Sequence, residues 1–120
     1  MLYVDGFVLA VPRKNLKAYR SMATKAAKVW RDHGAVEVVE CVADDVKKGK
    51  RTSFPQSVKL KKGEVVVFSW ITYKSRGARD RILKKVMKDP RLKDMMDPKD
   101  MPFDGKRMIY GGFKTIVENY

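Results

Sequence analysis

A single cysteine, Cys41, and a single histidine, His33, are all that these 120 residues offer to a soft metal ion. A zinc site needs three or four such ligands, so none can be built within one chain, and no metal or other cofactor is expected. One thiol also rules out an internal disulfide, which fits a reducing compartment. His33 falls where a helix should end, where the helix dipole favours it. Cys41 sits mid-strand and reads as a small core residue. Long apolar runs are missing too. None approaches the roughly 20 residues of a membrane span. The opening "MLYVDGFVLAVPRK" carries Asp5 inside its apolar run and no basic region before it, unlike a secretory leader. These absences predict a soluble cytoplasmic protein with no membrane partner. No repeat or low-complexity tract is present.

Acidic residues are scarce in one place. Residues 47–93 hold sixteen Lys and Arg against Glu64, Asp80 and Asp89, which accounts for the whole net charge of +13. The remainder is balanced. Such a field attracts polyanions and opposes non-specific self-association. Nucleic acid is therefore a candidate partner. Against it, Phe68, Trp70 and Tyr73 lie in a strand instead of among the charges, and no nucleic-acid motif is recognisable. A solvated face is the plainer account.

What is present is strong periodicity. Residues 2–11 read as a strand ended by Pro12, with Tyr3, Phe7, Leu9 and Val11 on one face and Leu2, Val4, Val8 and Ala10 on the other. Leu16, Tyr19, Ala23, Ala26, Ala27 and Trp30 recur at helical spacing and predict a helix over 13–33, stopped by Gly34. Residues 35–46 read as a second strand. Residues 47–62 form a polar connection with short extended pieces around Val58–Leu60. Residues 64–73, "EVVVFSWITY", are the clearest strand. Ala78, Ile82, Leu83, Val86 and Met87 predict a second helix over 76–89, closed by Asp89-Pro90. Residues 90–102 read as an irregular link, and 107–117 as the last strand.

The order β-α-β-β-α-β is the ferredoxin-like pattern of one α+β domain, an antiparallel sheet with both helices on one face. The third strand is apolar on both sides, with Val66, Phe68 and Trp70 opposite Val65, Val67 and Ile71. Helices cover only one side. Burying the other against a second copy, over about 1,500–2,500 Å², predicts a homodimer with facing sheets.

"YVDGFV" (3–8), "VEC" (39–41), "VVFSWI" (66–71) and "MPFDGKRMIYGGF" (101–113) together resemble the YbaA-like family of uncharacterised bacterial proteins. The match runs nearly the full length. That resemblance implies membership of the dimeric α/β-barrel group, hence a ferredoxin-like subunit paired through its sheets. It implies no activity, because the family has none established. The wider group includes small monooxygenases, haem-degrading enzymes and stress-response proteins.

Two carboxylates interrupt apolar strands, Asp5 and Glu40. A charge there must be paired or lie at a site. Lys106 and Arg107 open the last strand, the expected neighbour of the first, so Asp5 is expected to meet them. In 101–113, Asp104-Gly105 signals a turn. Gly111-Gly112 signals a bulge or a close approach, leaving a gap over Gly6 for Tyr110, Phe113 or a ligand. The structural account explains most of this stretch. The functional account is a pocket between sheet and helices for a small organic ligand, handled without a metal. Trp70 and Tyr110 would line it, Arg107 would orient an anionic or carbonyl group, and Asp5 or Glu40 would take a proton. The alternative is a non-catalytic module that places the basic 47–93 region on RNA or DNA.

Overall fold

The computed structural model describes residues 1–95 and 100–120. Its elements are β1 (Tyr3–Pro12), a 3₁₀ turn (Arg13–Asn15), α1 (Leu16–Asp32), β2 (Glu37–Val42), α2 (Phe54–Ser57), β3 (Glu64–Tyr73), α3 (Arg76–Lys88), α4 (Pro90–Met95), a second 3₁₀ turn (Gly105–Arg107) and β4 (Ile109–Lys114). The sheet order is β2-β3-β1-β4, with every pair antiparallel. This is the ferredoxin-like α+β arrangement that the periodicity predicts.

The register sorts side chains into two faces. Tyr3 pairs with Tyr73, Asp5 with Ile71 and Leu9 with Val67, and these point toward the helices. There α1 and α3 bury Tyr19, Ala23, Val29, Ile82 and Val86 against the sheet. On the other face stand Val4, Gly6 and Val8 of β1 with Phe68, Trp70 and Thr72 of β3. One end of that face is covered within the chain, because α2 delivers the fully buried Val58 onto Ala10 and Val66. The remainder is open, and Phe68, Ile109 and Phe113 are exposed on it.

Several local expectations are corrected. Residues 54–57 form a helical turn because Ser53 caps it, its Oγ accepting the Gln56 N–H at 3.1 Å. The extended pieces expected at Val58–Leu60 are absent. The link from residue 90 opens as helix α4, since Asp89-Pro90 does two jobs. It ends α3, and Asp89 then caps α4, accepting the Arg91 N–H at 2.9 Å, with Pro90 in the first turn where its missing N–H costs nothing. Residues 96–99 of that link lie outside the described residues. Gly34 follows α1 at φ 114°, as a helix stop should. Cys41 is exposed, not core, because β2 is an edge strand and Cys41 faces its open side opposite Phe68.

The glycine pair makes no bulge, for the β1–β4 ladder runs unbroken from Tyr3↔Lys114 to Val8↔Ile109. It serves close approach instead. The Phe113 ring covers Gly6 and Gly111 on the open face. On the helix face the Tyr3 hydroxyl sits where a Cβ on Gly112 would be, 2.3 Å away. Gly112→Ala must displace a buried ring, so it should lower stability by about 1–3 kcal/mol. Gly111→Ala meets Phe113 at an ordinary 3.6 Å and should stay within about 0.5 kcal/mol of the parent. Urea unfolding of the two variants checks the contrast.

Candidate functional site

Asp5 stands in the core with almost no exposure. Its Oδ1 accepts from Arg79 Nη1 at 3.0 Å, and the Tyr73 hydroxyl lies near the carboxylate. Arg79 reaches it from α3, with its guanidinium 5.0 Å over the Tyr3 ring and Nη2 3.4 Å from the Tyr3 hydroxyl. Trp30 of α1 donates to the Tyr73 oxygen at 3.2 Å. Burial pushes the Asp5 carboxyl upward, while Arg79 and Tyr73 pull it back only in part. The expected meeting of Asp5 with Lys106 and Arg107 is thus corrected. The signal was present, since Arg79 continues the Ile82–Leu83–Val86 stripe of α3 and so points inward with it.

Arg107 is committed elsewhere. Its two Nη groups hold Glu64 at 2.8 and 2.6 Å, its Nε holds Asp104 at 3.0 Å, and Nη1 also donates to the Lys59 carbonyl at 3.0 Å. This bidentate clamp ties the turn before β4 to the start of β3. Both Glu64 and Asp104 are held below the usual carboxylate range, chiefly by that guanidinium. Few of its donors remain for a ligand.

Trp70 and Tyr110 border one concavity of about 750 Å³ on the open sheet face. Trp70 is fixed there because its Nε1 donates to Glu37 at 3.0 Å, beside the Thr72 hydroxyl at 3.1 Å. Tyr110 meets only its rim: it pairs across the ladder with Phe7, on the helix side of the sheet, and stacks on that ring at 6.1 Å.

Glu40 lies apart from all four. It faces a groove of about 560 Å³ between α1 and β2, walled by Leu16, Ala23, Ala27, Val38, Val42 and Val67, with Arg20 and Thr24 at the mouth. The buried Tyr19 donates its hydroxyl to Glu40 Oε1 at 2.5 Å. Glu40 keeps part of its surface in solvent at the edge strand; partial desolvation raises its carboxyl, and the hydrogen bond from Tyr19 offsets part of the rise. The same burial, with the carboxylate beside it, pushes the Tyr19 phenol far upward, so it keeps its proton. The five expected site residues therefore do not share one cavity. Asp5 and Arg107 make internal ion pairs, Trp70 and Tyr110 border the open face, and Glu40 holds its own groove. Tyr19 was passed over as one more apolar position of α1. The available signal was that a buried tyrosine hydroxyl needs a partner.

Elsewhere, His33 Nε2 lies 2.8 Å from Asp89 Oδ2, and Arg91 joins Asp89 to Asp32 at 2.8 and 2.7 Å. Among the described residues no cluster of three His, Cys, Asp or Glu is placed to hold a metal. Among them, too, no helix is long and apolar enough to cross a membrane. Within the basic stretch, Arg79 and Arg91 serve internal pairs and are not part of a free cationic face.

The family described as "Protein of unknown function (DUF1428)" matches residues 2–105. The chain is 53% identical over 118 residues to the uncharacterised protein YbaA of Escherichia coli K12, covering 98% of this chain and 99% of that one. The YbaA protein of Shigella flexneri matches to the same extent. Among solved structures, a dimeric ferredoxin-like protein from an uncultured marine organism superposes with a TM-score of 0.60 at 11% identity, over 99% of this chain and all of that one. Rv0793 from Mycobacterium tuberculosis does so at 0.54 and 13%, over the whole of both chains. At these identities the likeness is one of fold.

Removing one member of the buried pair leaves the other charge without a partner. Arg79→Met should cost about 3 kcal/mol, and adding Asp5→Leu should recover much of it. Thermal or urea unfolding of the single and double variants reads the difference. Glu40 gives a pH signature. A carboxyl raised in the folded state contributes stability below its ordinary value, and that stability is lost as pH rises through the folded one. Unfolding midpoints of the parent should therefore fall relative to Glu40→Gln as pH rises from about 4.

Proposed function

The chain belongs to the DUF1428 family of proteins of unknown function, and on that premise we propose that it is a single-domain cytoplasmic homodimer that binds a small organic ligand between α1 and β2 and moves a proton on it without a metal. The observation that carries the ligand reading is the Tyr19–Glu40 pair, 2.5 Å apart on the wall of a largely apolar groove. A carboxyl raised above its ordinary value is a better base than an ordinary one, and it stands here within reach of a bound ligand. Tyr19 occupies Oε1, which leaves Oε2 for the ligand, and the protonated phenol steadies the carboxylate as it forms. Apolar walls suit the body of an aromatic or aliphatic carbonyl compound, and few polar groups are needed to orient it.

The homodimer reading rests on a different observation. Phe68, Ile109 and Phe113 are exposed together on the open sheet face, beside Trp70. A patch of this kind marks an interface in a stable protein. The fold neighbour from the marine organism is itself described as dimeric. The single exposed thiol, Cys41, is in keeping with a reducing compartment.

A set of small aromatic carbonyl compounds followed by amide shifts in NMR tests the ligand site. Binders should shift Tyr19, Ala23, Val38 and Glu40, and bind at least about tenfold more weakly to Glu40→Gln, the effect of losing one charge-assisted hydrogen bond. Ala27→Leu, which fills the groove, should weaken them as well. Binders that map to another surface, or that ignore both variants, overturn the assignment. Light scattering reads the assembly. The parent should have twice the mass of one chain at micromolar concentration, and Phe68→Asp should have the mass of one.

A further inference from the structure

The open sheet face is concave, and two concave faces set together leave space at their centre. Protein interiors leave little space of that size unfilled. The concavity of about 750 Å³ is walled by Val4, Val8, Phe68, Trp70, Ile109 and Phe113. Beside it stands a second anomaly. In segment 115–120, which follows β4, Ile116, Val117 and Tyr120 are 83%, 79% and 94% exposed. Three apolar side chains among five successive residues face water. Tyr120 already touches the rim of its own chain's concavity.

The base of this segment is held. The Thr115 N–H and Oγ1 donate to the Leu2 carbonyl at 3.3 and 2.9 Å. Glu118 accepts from the Leu2 N–H at 2.8 Å and from Thr115 Oγ1 at 2.6 Å. The segment therefore leaves the sheet at a set point, along edge strand β4. Between the anchors at Thr115 and Glu118 the chain presents Ile116 and Val117 to solvent, and Tyr120 lies two residues beyond. Side chains of sheets packed about 10 Å apart interdigitate, so these residues need no long excursion to meet a second copy. The segment's own charge does not oppose the approach, since Lys114 and Glu118 balance.

We propose that Ile116, Val117 and Tyr120 of each copy cross to a second copy of this chain and fill the concavity on its open sheet face. The inference rests on the homodimer reading above and adds which residues hold the dimer together. Each subunit's central cavity is then closed by the other's segment. Burying three such side chains per subunit at about 25 cal/mol per Å² is worth well over a hundredfold in dimer affinity.

Sedimentation equilibrium on the full chain, on a chain ending at Thr115, and on the triple variant Ile116→Ser, Val117→Ser, Tyr120→Ser tests this. The triple variant keeps the Glu118 anchor. Far-ultraviolet circular dichroism confirms that each form is folded. Both altered chains should dimerise at least about thirtyfold more weakly. An unchanged dissociation constant overturns the inference and leaves the dimer standing. A full chain that is monomeric at micromolar concentration removes the dimer and the inference together. A cross-link separates crossing from folding back. In a Cys41→Ser background, Val117→Cys protein mixed with Val4→Cys protein should give disulfide-linked pairs under mild oxidation. No such pairs, beside a weakened dimer, would mean that the segment stays on its own subunit.

Discussion

A charge inside a protein must be answered, and the Asp5–Arg79 pair is the demand that organises this one. Asp5 interrupts the apolar face of β1, so α3 has to bring a guanidinium to within 3.0 Å of it. That fixes the rotation and height of α3 on the sheet. Arg79 in turn lies over the Tyr3 ring, and Tyr3 needs the space that Gly112 leaves on β4. Tyr73 of β3 lies near the same carboxylate and accepts from Trp30 of α1. Three strands and both long helices thus meet at one buried ionic group. Hydrophobic burial supplies the driving force but is indifferent to register, whereas a buried charge pair is sensitive to it.

The two strand carboxylates show how environment divides labour. Burial raises both. Asp5 is met by a cation that cannot give up its charge, so it remains a structural ion. Glu40 is met by a phenol, which hydrogen-bonds but does not neutralise, and it borders a groove open to solvent. Proton chemistry belongs where a destabilised carboxylate lacks a cation, and Glu40 fits that description where Asp5 does not. Arginine settles most of the remaining internal charge. Arg107 clamps Glu64 and Asp104, and Arg91 joins Asp89 to Asp32. Guanidinium suits such work because its donors form a planar fork that matches carboxylate geometry.

The sheet is finished on one side only. Helices α1 and α3 close one face, and α2 closes one end of the other through Val58. What is left combines aromatic side chains with a curved surface, and the residues after β4 carry the same chemistry beside it. The proposed second copy would cover both. The cationic stretch runs through α2 and β3, which border that face, so salt screening of its charge favours the approach of two copies.

Periodicity and punctuation alone established the element order, the antiparallel α+β fold, both long helices, the full extent of β3 and the one-sided cover of the sheet. Alternation in "EVVVFSWITY" and the three- and four-residue spacing of Leu16, Tyr19 and Ala23 are local properties, readable without knowing what lies opposite. Gly34 was legible as a stop for the same reason. The partners were not. Asp5 looked to Arg107 because sheet order placed β4 beside β1, yet Arg79 sits 74 residues along the chain from Asp5 and arrives only when α3 packs. Cys41 looked like core because an edge strand and a central strand share one composition, and only the β2-β3-β1-β4 order shows which strand ends the sheet. Tyr19 and Glu40, 21 positions apart, become a pair only once α1 lies along β2. Pattern reports which face a residue occupies, while the partner it meets there depends on how separate elements are rotated and shifted in packing, and that is decided in three dimensions.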